Sequence, residues 1–105
     1  MLSKIALAAA LFAVACGPAS ASLELVKKAR CVACHAVDKK LVGPAYRDVA
    51  EKYRGQPEMA AKLFDKVRAG GTGVWGPNVM TPNGADKISD ADLKAAIAWI
   101  LAGAQ

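Results

Sequence analysis

Five consecutive residues, Cys31-Val32-Ala33-Cys34-His35, restrict this chain more than any other stretch. Two cysteines separated by two residues and followed directly by histidine form the C-x-x-C-H haem-attachment signature. On a helical turn, residues three apart lie on one face. Both thiols can therefore reach the two vinyl groups along one side of a porphyrin and become thioethers. The adjacent His35 can then bring its imidazole under the ring and bind iron as the proximal ligand. Two other chemistries compete for these residues. Zinc would want four ligands, typically including a distant second pair, yet the chain has one histidine and no second cysteine pair. A thioredoxin-like dithiol would want a βαβ setting, and no strand pattern surrounds the motif. Haem attachment is the stronger reading, with zinc or dithiol chemistry as the alternatives.

Residues 1–21 read as a secretory signal rather than as fold. Met1-Leu2-Ser3-Lys4 is a short positive start, Ile5 to Ala15 is apolar, and Ala19-Ser20-Ala21 is an A-x-A cleavage site. The apolar run is too short to remain as a membrane anchor. The expected mature chain is a single domain, 22–105, delivered to the periplasm. A lipoprotein signal with Cys16 as the lipidated residue competes, although Ala13 stands where such sites usually carry leucine. Removing 21 of the 105 residues leaves 84, near the lower limit for a self-sufficient core. Domains of this size usually add a staple. Cys16 leaves with the signal, and Cys31 and Cys34 are too close together to clamp a long loop. A bound cofactor is the staple that fits.

The formal charge of +5 becomes +4 once Lys4 is removed. Lys27, Lys28, Arg30, Lys39, Lys40, Arg47, Lys52 and Arg54 all fall in the first half of the mature chain. They form either a basic face that steers acidic redox partners or an ordinary solvated surface. Aromatic residues are few and not interleaved with a basic cluster, so no nucleic-acid motif is present.

Helical periodicity runs through the rest. Leu23 to Arg30 is expected to be helical, with Ser22 as N-cap, Glu24 in the first turn and basic residues near the end. Pro44 can start a second helix, in which Tyr46, Val49, Ala50 and Tyr53 make one apolar stripe that ends near Gly55. Pro57 opens a third, where Met59, Leu63, Phe64 and Val67 share a face and Gly70-Gly71 stops the run. Ser89-Asp90-Ala91-Asp92 resembles a capping box for a last helix with Leu93, Ile97, Ile100 and Leu101 on one side and Trp99 beside them. Gly71-Thr72-Gly73-Val74-Trp75-Gly76 matches G-x-G-x-x-G by letter. A helix precedes it and a proline-bearing loop follows, so it is no dinucleotide fingerprint. With no sustained alternation and no repeats, the chain reads as all-α.

If His35 fills one axial position, the other decides between electron transfer and ligand chemistry. Met59 lies on an apolar helix stripe, where filling a gap explains it. Met80 lies in a Gly-Pro-x-x-Met-x-Pro loop stiffened by Pro77 and Pro82, a setting suited to holding a thioether against iron. Methionine opposite histidine raises the potential and blocks small molecules. If Met80 does not bind, an enzyme or gas sensor with open iron becomes the rival.

Cys31 to Ala36, Val42-Gly43-Pro44-Ala45-Tyr46, and Gly73-Val74-Trp75-Gly76-Pro77 through Met80 with Pro82-Asn83 resemble the short bacterial class I cytochromes c, of the c-551 or c8 type. The likeness covers essentially all of the mature chain, with the motifs in the family's order and spacing. The resemblance implies a small fold of about four helices around one covalently bound haem c. It implies a one-electron carrier rather than an enzyme, working between larger complexes such as nitrite reductase, a terminal oxidase, or a photosynthetic or sulfur-oxidising complex. It further implies that the Pro44 carbonyl accepts the Nδ1 proton of His35, and that Trp75 donates its indole N–H to a haem propionate, with plain core packing as the alternative for Trp75. Arg47 is implied to pair with a propionate, and Asn83 to hydrogen-bond near the Met80 sulfur. Partners would be transient redox proteins with acidic docking faces, met by a monomer through a lysine-ringed haem edge. No membrane span would remain after processing. Three departures stand out. Arg30 replaces the family's usual glycine before the first cysteine, where close helix–helix contact is expected. Val26 stands for an aromatic in the first helix, and Gly84 to Lys87 lengthens the approach to the last helix.

Overall fold

The computed structural model describes residues 18–105. The expected signal segment lies outside the described residues as far as residue 17, Cys16 included. Helix α1 spans Pro18–Lys28, a 3₁₀ turn covers Cys31–Ala33, and α2, α3 and α4 span Tyr46–Lys52, Met59–Ala69 and Asp90–Leu101. Among the described residues the only strand-like pairings are isolated bridges, His35 with Lys40 and Gly71 with Met80. The expected all-α architecture is what the chain adopts.

Helix α4 is the post against which α1, α2 and α3 all pack. Leu93, Ala96, Ile97 and Trp99 on α4 are buried and cluster with Val26 of α1, Ala29 just past its end and Tyr46 of α2. The i, i+3, i+4 spacing of Leu93, Ala96 and Ile97 keeps them on one stripe. Ser89 caps this helix, its Oγ accepting the Asp92 N–H at 3.2 Å, and Asp90 and Asp92 suit the positive end of the dipole. Trp99 closes the chain's end by donating Nε1–H to the Gln105 carbonyl at 3.1 Å. Val26 is only 1% exposed, so the position that departs from the family's aromatic is a core position filled by a smaller side chain.

The starts of α1, α2 and α3 differ from expectation, α3 beginning at Met59 with Pro57 left in the preceding turn. In the unprocessed chain helix α1 starts at Pro18 and runs through Ser22, whereas cleavage after Ala21 would leave Ser22 at the helix start. Helix α2 begins after Ala45, since the Pro44 carbonyl is engaged elsewhere, as described below. Helix α3 carries its apolar stripe as expected but buries none of it completely. Met59, Leu63 and Val67 face a cavity rather than a filled core.

The Arg30 departure is a matter of backbone. Its φ of 66° and ψ of 20° are left-handed, and this single residue turns the chain out of α1 into the 3₁₀ turn. Glycine takes that conformation freely, whereas a side chain costs about 1–2 kcal/mol. The turn, rather than a close helix contact, is what favours glycine here. Arg30→Gly is expected to stabilise the holoprotein by about 0.5–1 kcal/mol after the extra chain entropy of glycine is subtracted. A denaturant titration checks this; unchanged or lower stability would mean that the arginine side chain offsets its own strain.

Candidate haem site

The left-handed turn at Arg30 delivers Cys31, Cys34 and His35 to one side of a cavity of about 420 Å³. That volume is in the range of cofactor sites, about 300–1,000 Å³. Its walls are mostly apolar and come from every helix, with Val26, Val49, Leu63, Leu93 and Ile97 among them. The local hydrogen bonds fix the motif: the Ala33 N–H donates to the Arg30 carbonyl at 3.2 Å, and those of Cys34 and His35 donate to the Cys31 carbonyl at 3.1 and 2.9 Å.

His35 is held from three sides. Its Nδ1 lies 2.8 Å from the Pro44 carbonyl oxygen. A carbonyl can only accept, so Nδ1 carries the proton and Nε2 keeps its lone pair for a metal. Tyr46 stacks on the ring, with centroids 5.3 Å apart and planes inclined by 18°. Gly43 also lies against the imidazole. A Cβ there would collide with Cε1 and stand 2.9 and 3.0 Å from Nδ1 and Nε2. Periodicity gave Gly43 no role beyond punctuation; a glycine directly before the proline of a histidine-bracing loop was the available signal.

Burial pushes the Cys31 thiol upward, and backbone bonding and Lys87 oppose that rise. Burial also drives the Tyr46 phenol well above its ordinary range, with Cys31 adding in the same direction. Cys31 therefore presents S–H at neutral pH. The Tyr46 hydroxyl is buried without a hydrogen-bond partner.

Met80 reaches the same cavity from the other loop. Its backbone is clamped by a reciprocal pair, Gly71 N–H to the Met80 carbonyl at 2.9 Å and Met80 N–H to the Gly71 carbonyl at 2.8 Å. Met59 lines the cavity too. Asn83 is 8% exposed, and its side-chain amide donates to the carbonyls of Thr81 at 2.9 Å and Val67 at 3.3 Å. Both N–H groups are thereby used, so Asn83 steadies the backbone next to Met80 instead of donating to the thioether. Arg68 extends the brace, donating to the Asn83 and Ile88 carbonyls at 3.1 and 2.8 Å and pairing with Asp90 at 2.6 Å.

Trp75 lines the cavity at its edge, 36% exposed. It packs edge-on against Tyr53 with centroids 6.3 Å apart, and the Lys52 ammonium sits 5.3 Å from its ring. A buried core role does not describe it. Arg47 is not brought to the cavity. It lies exposed on α2, and its backbone N–H donates to the Val37 carbonyl at 3.0 Å. The cations that do line the cavity are Arg30, Lys62, Lys66 and Lys87. Lys62 and Lys66 stand one turn apart on α3 beside Leu63, a signal that was readable but was overshadowed by the apolar stripe.

This donor set fits a haem. Two thiols, an imidazole with Nε2 available, a thioether, an apolar slot and cations for two propionates share one space. Among the described residues, no cluster of three or more His, Cys, Asp or Glu side chains offers a separate metal site. The comparisons agree. A family model described as cytochrome c matches residues 21–104. The chain belongs to the cytochrome c family. Cytochrome c-552 of Nitrosomonas europaea is 47% identical over 85 residues, 81% of each chain. Cytochrome c-551 of Pseudomonas aeruginosa is 47% identical over 77 residues, 73% of this chain and 71% of that one. The crystal structure of wild-type Nitrosomonas europaea cytochrome c552 matches with a TM-score of 0.72 at 46% identity, over 77% of this chain and 98% of that one. A class 1 cytochrome of Sideroxydans lithotrophicus matches with a TM-score of 0.67 at 34% identity, over 81% and 95% of the two chains. As a family member the chain has the class I cytochrome c fold, carries one covalently bound haem c, and is an electron carrier rather than an enzyme.

Proposed function

We propose that this cytochrome is exported by residues 1–21, matures at Ser22, and works in the periplasm as a one-electron shuttle. Its haem is joined to Cys31 and Cys34, and His35 and Met80 hold the iron. One observation carries the reading: a single apolar cavity receives both sulfurs, a Met80 segment clamped to Gly71, and an imidazole whose Nδ1–H is taken by Pro44.

Bound haem supplies the ferric/ferrous couple, and the electron chemistry is its own. The protein sets the conditions. The Pro44 carbonyl fixes the tautomer and orientation of His35 and makes Nε2 a better donor. A Met80 thioether on the iron would favour the ferrous state and would keep small molecules from binding there. The apolar walls keep water out. At the edge, Trp75 and the lining lysines would meet the propionates. The basic residues of α2 and the loop before it support brief docking to acidic redox partners, among them a nitrite reductase or a terminal oxidase, by a monomer. Such an interface is small, and its electron-transfer rate is expected to fall as salt is added.

The test is to purify the protein from its native host. Pyridine haemochrome bands that survive acid-acetone extraction, with a mass beginning at Ser22, are the expected result. A colourless protein, or pigment lost to the solvent, overturns the haem assignment. Retained Cys16 with a lipid overturns the processing. Rapid carbon monoxide binding by the reduced native form would replace the carrier with a sensor or enzyme.

A further inference from the structure

The segment between Gly71 and Met80 is largely self-contained. Gly71 and Met80 close its base by their reciprocal backbone pair, and the Gly73 N–H donates to the Gly76 carbonyl at 3.0 Å. Thr72 Oγ1–H donates to the carbonyls of Gly76 and Asn78 at 3.2 and 3.3 Å. Among the described residues, one hydrogen bond joins 72–79 to the remainder of the molecule. The side-chain amide of Asn78 donates to the Val42 carbonyl at 2.9 Å, across 36 residues of sequence.

The acceptor is well anchored. Val42 lies in a turn where the Leu41 N–H donates to the Gly43 carbonyl at 3.1 Å and the Gly43 N–H to the Cys34 carbonyl at 2.7 Å. That turn contains the glycine pressed against His35 and leads into Pro44. Asn78 and Val42 both line the cavity and are both exposed, so their bond crosses its rim. The second tether of this segment is the packing of Trp75 on Tyr53 and Lys52.

We propose that Asn78 is a latch, a positioning residue that ties the Met80 loop to the His35 loop and limits how often Met80 swings away from iron. This rests on the His35/Met80 reading. A bond at the rim adds little to global stability, since both partners return to water when it breaks. It acts instead on a local opening, the kind of motion that occurs without unfolding. An external ligand can bind only when Met80 is displaced, so its binding rate reports the open population.

The experiment follows imidazole binding to the ferric full-length holoprotein by stopped flow, for the unsubstituted chain, Asn78→Val and Asn78→Asp, with denaturant titrations alongside. Slow binding by the unsubstituted chain is expected. Asn78→Val should bind about two- to tenfold faster. Asn78→Asp should bind faster still, because a carboxylate facing a carbonyl repels it. Both should unfold at nearly the original denaturant midpoint. Unchanged rates, or rates that rise only in step with lost global stability, overturn the latch. Immediate binding by the unsubstituted chain overturns the axial-pair reading and the latch with it; that result is read from a different protein, so the two failures are distinguishable.

Discussion

Met80→Ala is expected to give a folded, coloured protein whose reduced form binds carbon monoxide and whose potential falls by on the order of 100 mV. The fold should survive because Met80 contributes to structure through its backbone. Both bonds to Gly71 are main-chain bonds, and the side chain is only half-buried at the cavity wall. Iron loses the soft ligand that favours the ferrous state, and the position is left to water or another weak donor. Axial identity spans about 0.8 V across haem proteins, so the loss should far exceed any change caused by packing. Met59 is the control, because it lines the same cavity from the first turn of α3. Met59→Leu should keep the potential and the refusal of carbon monoxide. If the two variants exchange behaviour in a redox titration, Met59 is the ligand.

Gly43→Ala is expected to damage the His35 side of the site although it adds a single methyl group. Its backbone is not in the left-handed region, so the cost is steric: the new Cβ collides with the imidazole. The ring cannot retreat easily, because Tyr46 stacks on it and the Pro44 carbonyl holds Nδ1. Overpacking costs about 1–3 kcal/mol and a broken hydrogen bond about 1 more, which together give about 2–4 kcal/mol. Gly55→Ala separates this from ordinary glycine effects. Gly55 has φ 75° and open space around it, so alanine there should cost about 1 kcal/mol of backbone strain and leave the haem spectrum unaltered. Denaturant midpoints and visible spectra of the four holoproteins decide both predictions. A Gly43→Ala protein with unchanged stability and spectrum would show that the loop around His35 yields more than its hydrogen bonds suggest.

Local chemistry made much of this protein legible before any fold was known. The C-x-x-C-H spacing, the Ser89 cap, the stop at Gly70 and the stripes of α2, α3 and α4 depend on residues within one or two turns of each other, where backbone geometry leaves few options. The same locality misled where context intruded. Arg30 reads as a break in packing when it is a left-handed turn, and Pro44 reads as a helix start when its carbonyl is taken by His35.

What tertiary structure decided is how distant segments meet. No pattern along the chain says that Asn83 spends its donors on Val67 and Thr81, that Asn78 crosses to Val42, or that Lys87 reaches the cavity while Arg47 does not. Those facts follow from how α1, α2 and α3 lean on α4, a choice made by side-chain packing across tens of residues. The sequence alone pointed to the cofactor and to the side chains proposed to hold it. The packing decided how firmly it is held and what can reach it, because contacts between loops exist only once the helices that carry them are in place.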